Sequence, residues 1–183
     1  MTMSSNKIIV QNMVCPRCSE SVEGTLNKLK INFDSVSIGE IKLSEKINDN
    51  LLIELEQNLN KKGFTILKDE KLIIVEKVKN LIHVKVANMT FSSEKFSIEI
   101  SENINYNYSY ISRVFSANTG FTIEKYLLKC KIDKVKELIK FQKFSVKEIA
   151  YLLNYNSLSH LSNHFKRETG ITPSQFKKQN FIK

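Results

Sequence analysis

The stretch Phe144–Phe176, FSVKEIAYLLNYNSLSHLSNHFKRETGITPSQF, decides how the second half of this chain folds. Ser145 is placed to cap a helix in which Val146, Ile149, Ala150 and Leu153 recur at helical spacing, with Lys147 and Glu148 outside. Asn154, Tyr155 and Asn156 interrupt the pattern, and asparagine tolerates the left-handed backbone that a tight turn needs. Ser157 is placed to cap a second helix. Its inward face is Leu158, Leu161 and Phe165, and its outward face is Ser159, Ser162, Asn163, Lys166 and Arg167. A short, polar, partly basic helix held across another helix suits a DNA major groove about 12 Å wide.

A second copy of this pattern lies about 50 residues upstream, in Phe96–Gly120, FSIEISENINYNYSYISRVFSANTG. Ile100 and Ile104 stand for Ile149 and Leu153, and Asn105, Tyr106 and Asn107 for Asn154, Tyr155 and Asn156. Ile111 to Phe115 stands for Leu161 to Phe165, and Gly120 for Gly170. The leading helix of this copy carries Glu99 and Glu102 and reads as one residue short. Between the copies, Ile123–Phe141 sets Ile123, Tyr126, Leu127, Cys130, Val135, Leu138 and Ile139 against Lys125, Lys129, Lys131, Lys134 and Lys136. That spacing predicts one helix with a buried face and a basic face.

Residues 92–183 resemble the DNA-binding half of AraC/XylS transcription regulators, which joins two helix-turn-helix units by a long helix. The resemblance is carried by Glu148, Ile149, Ala150, Tyr155, Leu161, Ser162, Phe165 and Lys166. The closing element Gly170, Ile171, Thr172, Pro173, Ser174 and Phe176 completes it. It implies a non-enzymatic, sequence-specific regulator of double-stranded DNA that needs no cofactor and works with RNA polymerase. By position in that pattern, Ser109, Ser112 and Arg113 read bases for the first unit, and Ser159, Ser162 and Asn163 for the second. Lys166, Arg167, Lys177 and Lys178 hold phosphates.

The first half has a different grammar. Residues 7–12 read as a strand, and Val22, Leu26 and Leu29 mark a helix. Phe33 to Ile38 and Ile41 to Leu43 read as a hairpin across Gly39 and Glu40. Asn50–Lys62 is helical, ended by Gly63, and Phe64 to Leu67 is a last short strand. The order βαββαβ is that of a split ferredoxin-like unit. The fold class expected is therefore α+β, with residues 1–68 a ferredoxin-like domain, 69–91 a connecting helix and hinge, and 92–183 all-α.

Residues 1–68 also resemble a heavy-metal-associated domain, through Met13, Cys15 and Cys18 in the first strand-to-helix loop and Gly63 and Phe64 before the last strand. Asn12 stands where that family usually has glycine. The resemblance implies that the two thiolates bind a soft ion such as Cu(I) or Zn(II). A helix N-terminus favours the thiolate such an ion needs. Three functions stay open for the pair: a metal site, a thiol redox switch, or structural cysteines. With them stay two wider alternatives, a metal chaperone or buffer and a plain protein-interaction module.

Lys68–Val86 sets Leu72, Ile73, Val75, Val78, Leu81, Ile82 and Val86 at roughly helical spacing. Such a face serves either as a homodimer seam or as packing onto the adjoining domains. Asn88–Glu94 reads as a hinge. His160 and His164 have a spacing that can hold zinc, but a structural or DNA-facing role is expected, with His160 towards the buried edge. Cys130 is expected in the core, and His83 packed or solvated.

The chain has 183 residues, is 42% hydrophobic and carries a net charge of +9. Thirteen basic residues face eleven acidic ones up to position 90, and fifteen face eight beyond it. The excess sits in the half with the two helix-turn-helix patterns, as phosphate binding requires. No apolar run approaches the roughly 18 residues of a membrane span. The start, MTMSSNK, is not a secretory leader, and three cysteines do not make a disulfide framework. A cytoplasmic, nucleoid-associated protein is expected.

Overall fold

The computed structural model describes residues 6–91 and 95–181. The chain divides into two units, Met1–Asn80 and Leu81–Lys183.

In the first unit, β1 (Lys7–Gln11), α1 (Pro16–Lys28), β2 (Phe33–Ser37), β3 (Glu40–Leu43), α2 (Asp49–Asn60) and β4 (Thr65–Ile66) follow in that order. The sheet runs β2-β3-β1-β4, with every neighbouring pair antiparallel. Its register sets Ile8 opposite Ile41, and Val10 opposite Ile66. Strand side chains alternate, so Ile8 and Val10 share the face that meets Val22 and Leu26 of α1 and Leu55 and Leu59 of α2. Asn48 caps α2 by accepting the Leu51 backbone N–H at 2.8 Å. Gly39 turns the β2–β3 hairpin at φ +81°, and a β-carbon there would fall 1.8 Å from the Asn80 amide nitrogen. The backbone angle is what requires glycine at that point.

Helix α3 (Glu70–Asn88) begins on an Asp69 cap, whose carboxylate accepts the backbone N–H groups of Lys71 and Leu72. The boundary between the units falls inside this helix, between Asn80 and Leu81, not at its two ends. The sequence pattern treats residues 69–91 as a separate connector. Ile74, Val75, Val78, Ile82 and Val86 of this helix are buried. The same burial removes most of the face that could have been a dimer seam. The hinge expected at Asn88–Glu94 lies partly outside the described residues. Its described beginning turns through Met89 at φ 55°.

The second unit contains α4 (Phe96–Ile104), α5 (Tyr108–Thr119), α6 (Ile123–Phe141), α7 (Val146–Leu152), α8 (Leu158–Thr169) and α9 (Pro173–Phe181). Helix α6 has the span its spacing predicts. The leading helix α4 is not short: it has 9 residues against 7 in α7. Val135, Leu138 and Ile139 of α6 share a core with Ile149 and Ala150 of α7 and Leu161 and Phe165 of α8. Among the described residues no helix is long and apolar enough to cross a membrane.

Candidate nucleic-acid interface

Each helix-turn-helix unit is set by short polar contacts that the residue types dictate. The left-handed turn residues are Asn105 (φ 61°) and Asn154 (φ 53°). Asn107 caps α5 by accepting the Tyr110 backbone N–H at 2.8 Å, and Ser157 caps α8 by accepting that of His160 at 3.0 Å. Ser145 and Glu148 form a reciprocal capping box on α7. Such a cap contributes about 1 kcal/mol.

The exits of α5 and α8 are built alike. Gly120 and Gly170 close them in the left-handed region. The Thr119 hydroxyl donates to the carbonyls of Phe115 and Phe121, and the Thr169 hydroxyl to those of Phe165 and Ile171. Thr122 then caps α6, and Thr172 accepts the Gln175 backbone N–H at the start of α9. The repeat Thr119-Gly120-Phe121-Thr122 and Thr169-Gly170-Ile171-Thr172 is visible in the sequence.

This framework presents the expected contact residues on α5, α8 and α9. Ser109 and Arg113 are exposed on α5, with Ser112 half-buried beside them. Ser159 and Asn163 are exposed on α8, with Ser162 half-buried. Lys166 and Arg167 are exposed near the end of α8, and Lys177 and Lys178 on α9. The Arg113 guanidinium lies 5.9 Å from the Tyr110 ring centre, and the Arg167 Nε is 3.5 Å from Glu168.

Three placements correct the sequence pattern. Leu158, expected inward, is 44% exposed, and His164 takes the inward position with 4% exposure. The buried arc of α8 is centred on Leu161, His164 and Phe165, which leaves Leu158 at its margin. His164 Nδ1 lies 2.9 Å from the Tyr155 hydroxyl, so its role is structural, while His160 is the exposed member of the pair. Burial chiefly holds the His164 pKa below its ordinary value. Lys131, expected on the basic face of α6, is buried. Its ammonium lies 4.2 Å from the Phe91 ring centre and 5.3 Å from that of Tyr155. Desolvation pulls its pKa down to about 8. Sequence spacing missed this because a single lysine on an amphipathic helix carries no sign of the aromatic rings that receive it.

Residues 100–179 match a family described as a helix-turn-helix domain. The carboxy-terminal half carries this helix-turn-helix domain, and its homologues include AraC-family regulators. Among its relatives is the uncharacterized HTH-type transcriptional regulator YtdP of Bacillus subtilis, 29% identical over 55% of this chain and 13% of that protein. Another is the Msm operon regulatory protein of Streptococcus mutans, 27% identical over 57% of this chain and 36% of that protein. The matched segments span well under half the length of these relatives. The relatives are transcription regulators, not enzymes. In fold, the domain is similar to the C-terminal domain of AraT, a response regulator from Geobacillus stearothermophilus. The TM-score is 0.52 at 23% identity, covering 60% of this chain and 88% of that one. A DNA-binding transcriptional dual regulator from Escherichia coli K-12 gives a TM-score of 0.51 at 18% identity, over 60% of this chain and 94% of that one.

The amino-terminal unit brings the other expected pair together. Cys15 is the N-cap residue of α1, and its sulfur lies 3.2 Å from that of Cys18. The Cys18 thiol is held below its ordinary pKa, first by the Val14 backbone N–H and then by the Cys15 sulfur. Asn12 adopts φ 74° just ahead of the pair, the conformation for which glycine is the usual choice, and its amide donates to the Gly63 carbonyl at 2.9 Å. Met13 is buried beneath the loop. Among the described residues no group of three His, Cys, Asp or Glu side chains is arranged to hold a metal ion. Two soft sulfurs fit a thiophilic ion of low coordination number and do not complete a closed four-ligand zinc site. Cys130 is half-buried, with its pKa raised by burial to about 11, and His83 packs against Tyr126.

Proposed function

We propose that this chain is a sequence-specific, AraC-type transcription regulator that binds double-stranded DNA with α5 and α8 in successive major-groove segments. The observation that carries this reading is the duplicated, capped helix, whose apolar face is buried and whose exposed face holds Ser109 and Arg113 in α5 and Ser159 and Asn163 in α8. Arg113 has the chemistry to read guanine and Asn163 to read adenine. Lys166, Arg167, Lys177 and Lys178 supply phosphate contacts, and Ser112 and Ser162 complete the two sets of base readers. Action on RNA polymerase in the cytoplasm, at the nucleoid, belongs to the same proposal. A homodimer is a further part of it, and one that has to use surfaces other than the buried residues of α3.

The test is fluorescence anisotropy of the full chain on a selected DNA library at several salt concentrations. One enriched bipartite sequence, bound with a steep salt dependence, is the expected outcome. Uniform affinity across the library would sink the claim of sequence specificity.

For the amino-terminal unit, we infer a ferredoxin-like, heavy-metal-associated-type sensor. The strand order β2-β3-β1-β4 and the Cys15–Cys18 pair support it. Cys15 and Cys18 would hold Cu(I) or Zn(II) through their two thiolates. The same 3.2 Å approach also favours a dithiol–disulfide switch as a second reading. Anaerobic titration of the reduced protein with Cu(I) and then Zn(II), beside the Cys15→Ser/Cys18→Ser form, separates the two. Tight uptake lost in the double variant supports the metal. Uptake that is absent, or unchanged in the variant, removes the metal reading and leaves the DNA-binding one standing.

A further inference from the structure

We propose that the amino-terminal unit carries a binding site for a small aliphatic anion, a carboxylate on an apolar chain. The site is a cavity of about 840 Å³ beside β1 and the start of α2, lined in part by Leu67, Lys68, Ile73 and Lys77. Its size falls within the roughly 300–1,000 Å³ of small-molecule pockets. Neither Cys15 nor Cys18 lines it, so the inference is independent of the metal and redox readings.

The wall is aliphatic. Ile8 and Ile9, consecutive on β1, both line it, as do Leu43, Ile47 and Leu52. Strand alternation puts Ile8 and Ile9 on opposite faces of the sheet, so the cavity lies around the sheet's edge and not within the core of α1 and α2. Among the described residues no aromatic side chain lines it, so a nucleobase or other flat ring has nothing to stack on there. Among the same residues Asn6 is the one uncharged hydrogen-bonding side chain in the lining, too little for a sugar's hydroxyls.

The charge is positive. Among the described residues Lys7, Lys46, Lys68 and Lys77 line the cavity against a single acid, Asp49. Lys7 is paired with Glu40 at 3.0 Å and Lys68 with Glu56 at 2.8 Å. Among the described residues Lys46 and Lys77 enter no ion pair with a carboxylate. Lys46 is exposed and Lys77 half-buried. Two ammonium groups without carboxylate partners, beside branched aliphatic walls, match an anionic head on an apolar body. They oppose a cation of the same shape.

The experiment is isothermal titration of the full chain with octanoate, 1-octanol and octylammonium, repeated on Lys46→Glu/Lys77→Glu and on the milder Lys46→Ala/Lys77→Ala. The expected result is saturable, one-site binding of octanoate, weaker for 1-octanol and weakest for octylammonium. Charge reversal should weaken octanoate by about tenfold or more, and the alanine pair by less, with an unchanged melting temperature. No saturable octanoate binding would overturn the site, as would equal affinity for all three probes or octanoate binding indifferent to both lysine pairs. So would sedimentation showing that the patch joins two copies of the chain, with octanoate excluded.

Discussion

The two helix-turn-helix units share an asparagine–tyrosine–asparagine turn but send the tyrosine to opposite environments. Tyr106 is 38% exposed and packs on Tyr110 at 5.2 Å, whereas Tyr155 is 8% exposed and bonds to His164. The cause is one extra residue. In the first unit the left-handed Asn105 is followed two positions later by the cap, Asn107. In the second, the left-handed Asn154 is followed three positions later by Ser157. The longer turn carries Tyr155 inward, over α8. Where the first unit buries Val114, the second buries His164, and Lys131 lies over the same tyrosine. The second unit thus has a polar network inside its core, where the first is apolar at the matching place. Such networks specify geometry but depend on protonation.

The comparison breaks most visibly through what the units have in common. Phe115 and Phe165 are both fully buried at matching positions. Phe115→Ala and Phe165→Ala should each cost about 3–5 kcal/mol in denaturant unfolding. A loss confined to one of them would refute structural equivalence of the repeats. Tyr155→Phe should cost about 1–3 kcal/mol, because it leaves the His164 ring nitrogen without its partner in a buried site. Tyr106→Phe, at an exposed position, should change stability by less than about 0.5 kcal/mol. Comparable losses from both would show that the turn length does not divide their roles.

On DNA the contrast is between readers and holders. Arg113→Ala should lose about 1–3 kcal/mol at one G·C pair and relax preference there. Lys166→Ala should weaken all sequences alike and flatten the salt slope by about one. Equal losses on every sequence for Arg113→Ala would remove it from the base readers.

The pH profile carries the smallest effect. Lys131, depressed from 10.5 to about 8, is neutral in the folded chain and charged in the unfolded one between those values. The unfolded state binds more protons there, so stability should rise as pH increases across that window. His164 has a folded pKa below 6.5, so stability should fall as acid protonates the unfolded chain first, from about pH 6.5 downward. Burial chiefly sets the depth of that fall, with Arg167, His160 and Lys131 adding to it and Glu168 opposing it. Melting curves of the wild type beside Lys131→Met test this: the variant should lose the alkaline rise without losing stability at neutral pH. A rise that persists in the variant would assign it to another group.

Much of this architecture is legible along the chain because caps, turns and periodicity are local. Ser145 and Ser157 announce their helices through their own hydroxyls, and α6 is recovered end to end from its apolar spacing. The order of elements around Cys15 and Cys18 follows from alternation and from Gly39 and Gly63. The candidate DNA-facing residues are legible for the same reason, since one face of a helix is a fixed set of positions.

What the chain by itself determined is therefore the set of elements, the repeat and the surface chemistry of α5 and α8. Tertiary structure alone decided the interiors: that His164 and not Leu158 turns inward, and that Lys131 is buried beside the rings of Phe91 and Tyr155. The physical reason is that a side chain at the margin of a helical face goes in or out according to what the facing element offers. An aromatic ring for an ammonium, or a hydroxyl for an imidazole, comes from residues far away in sequence.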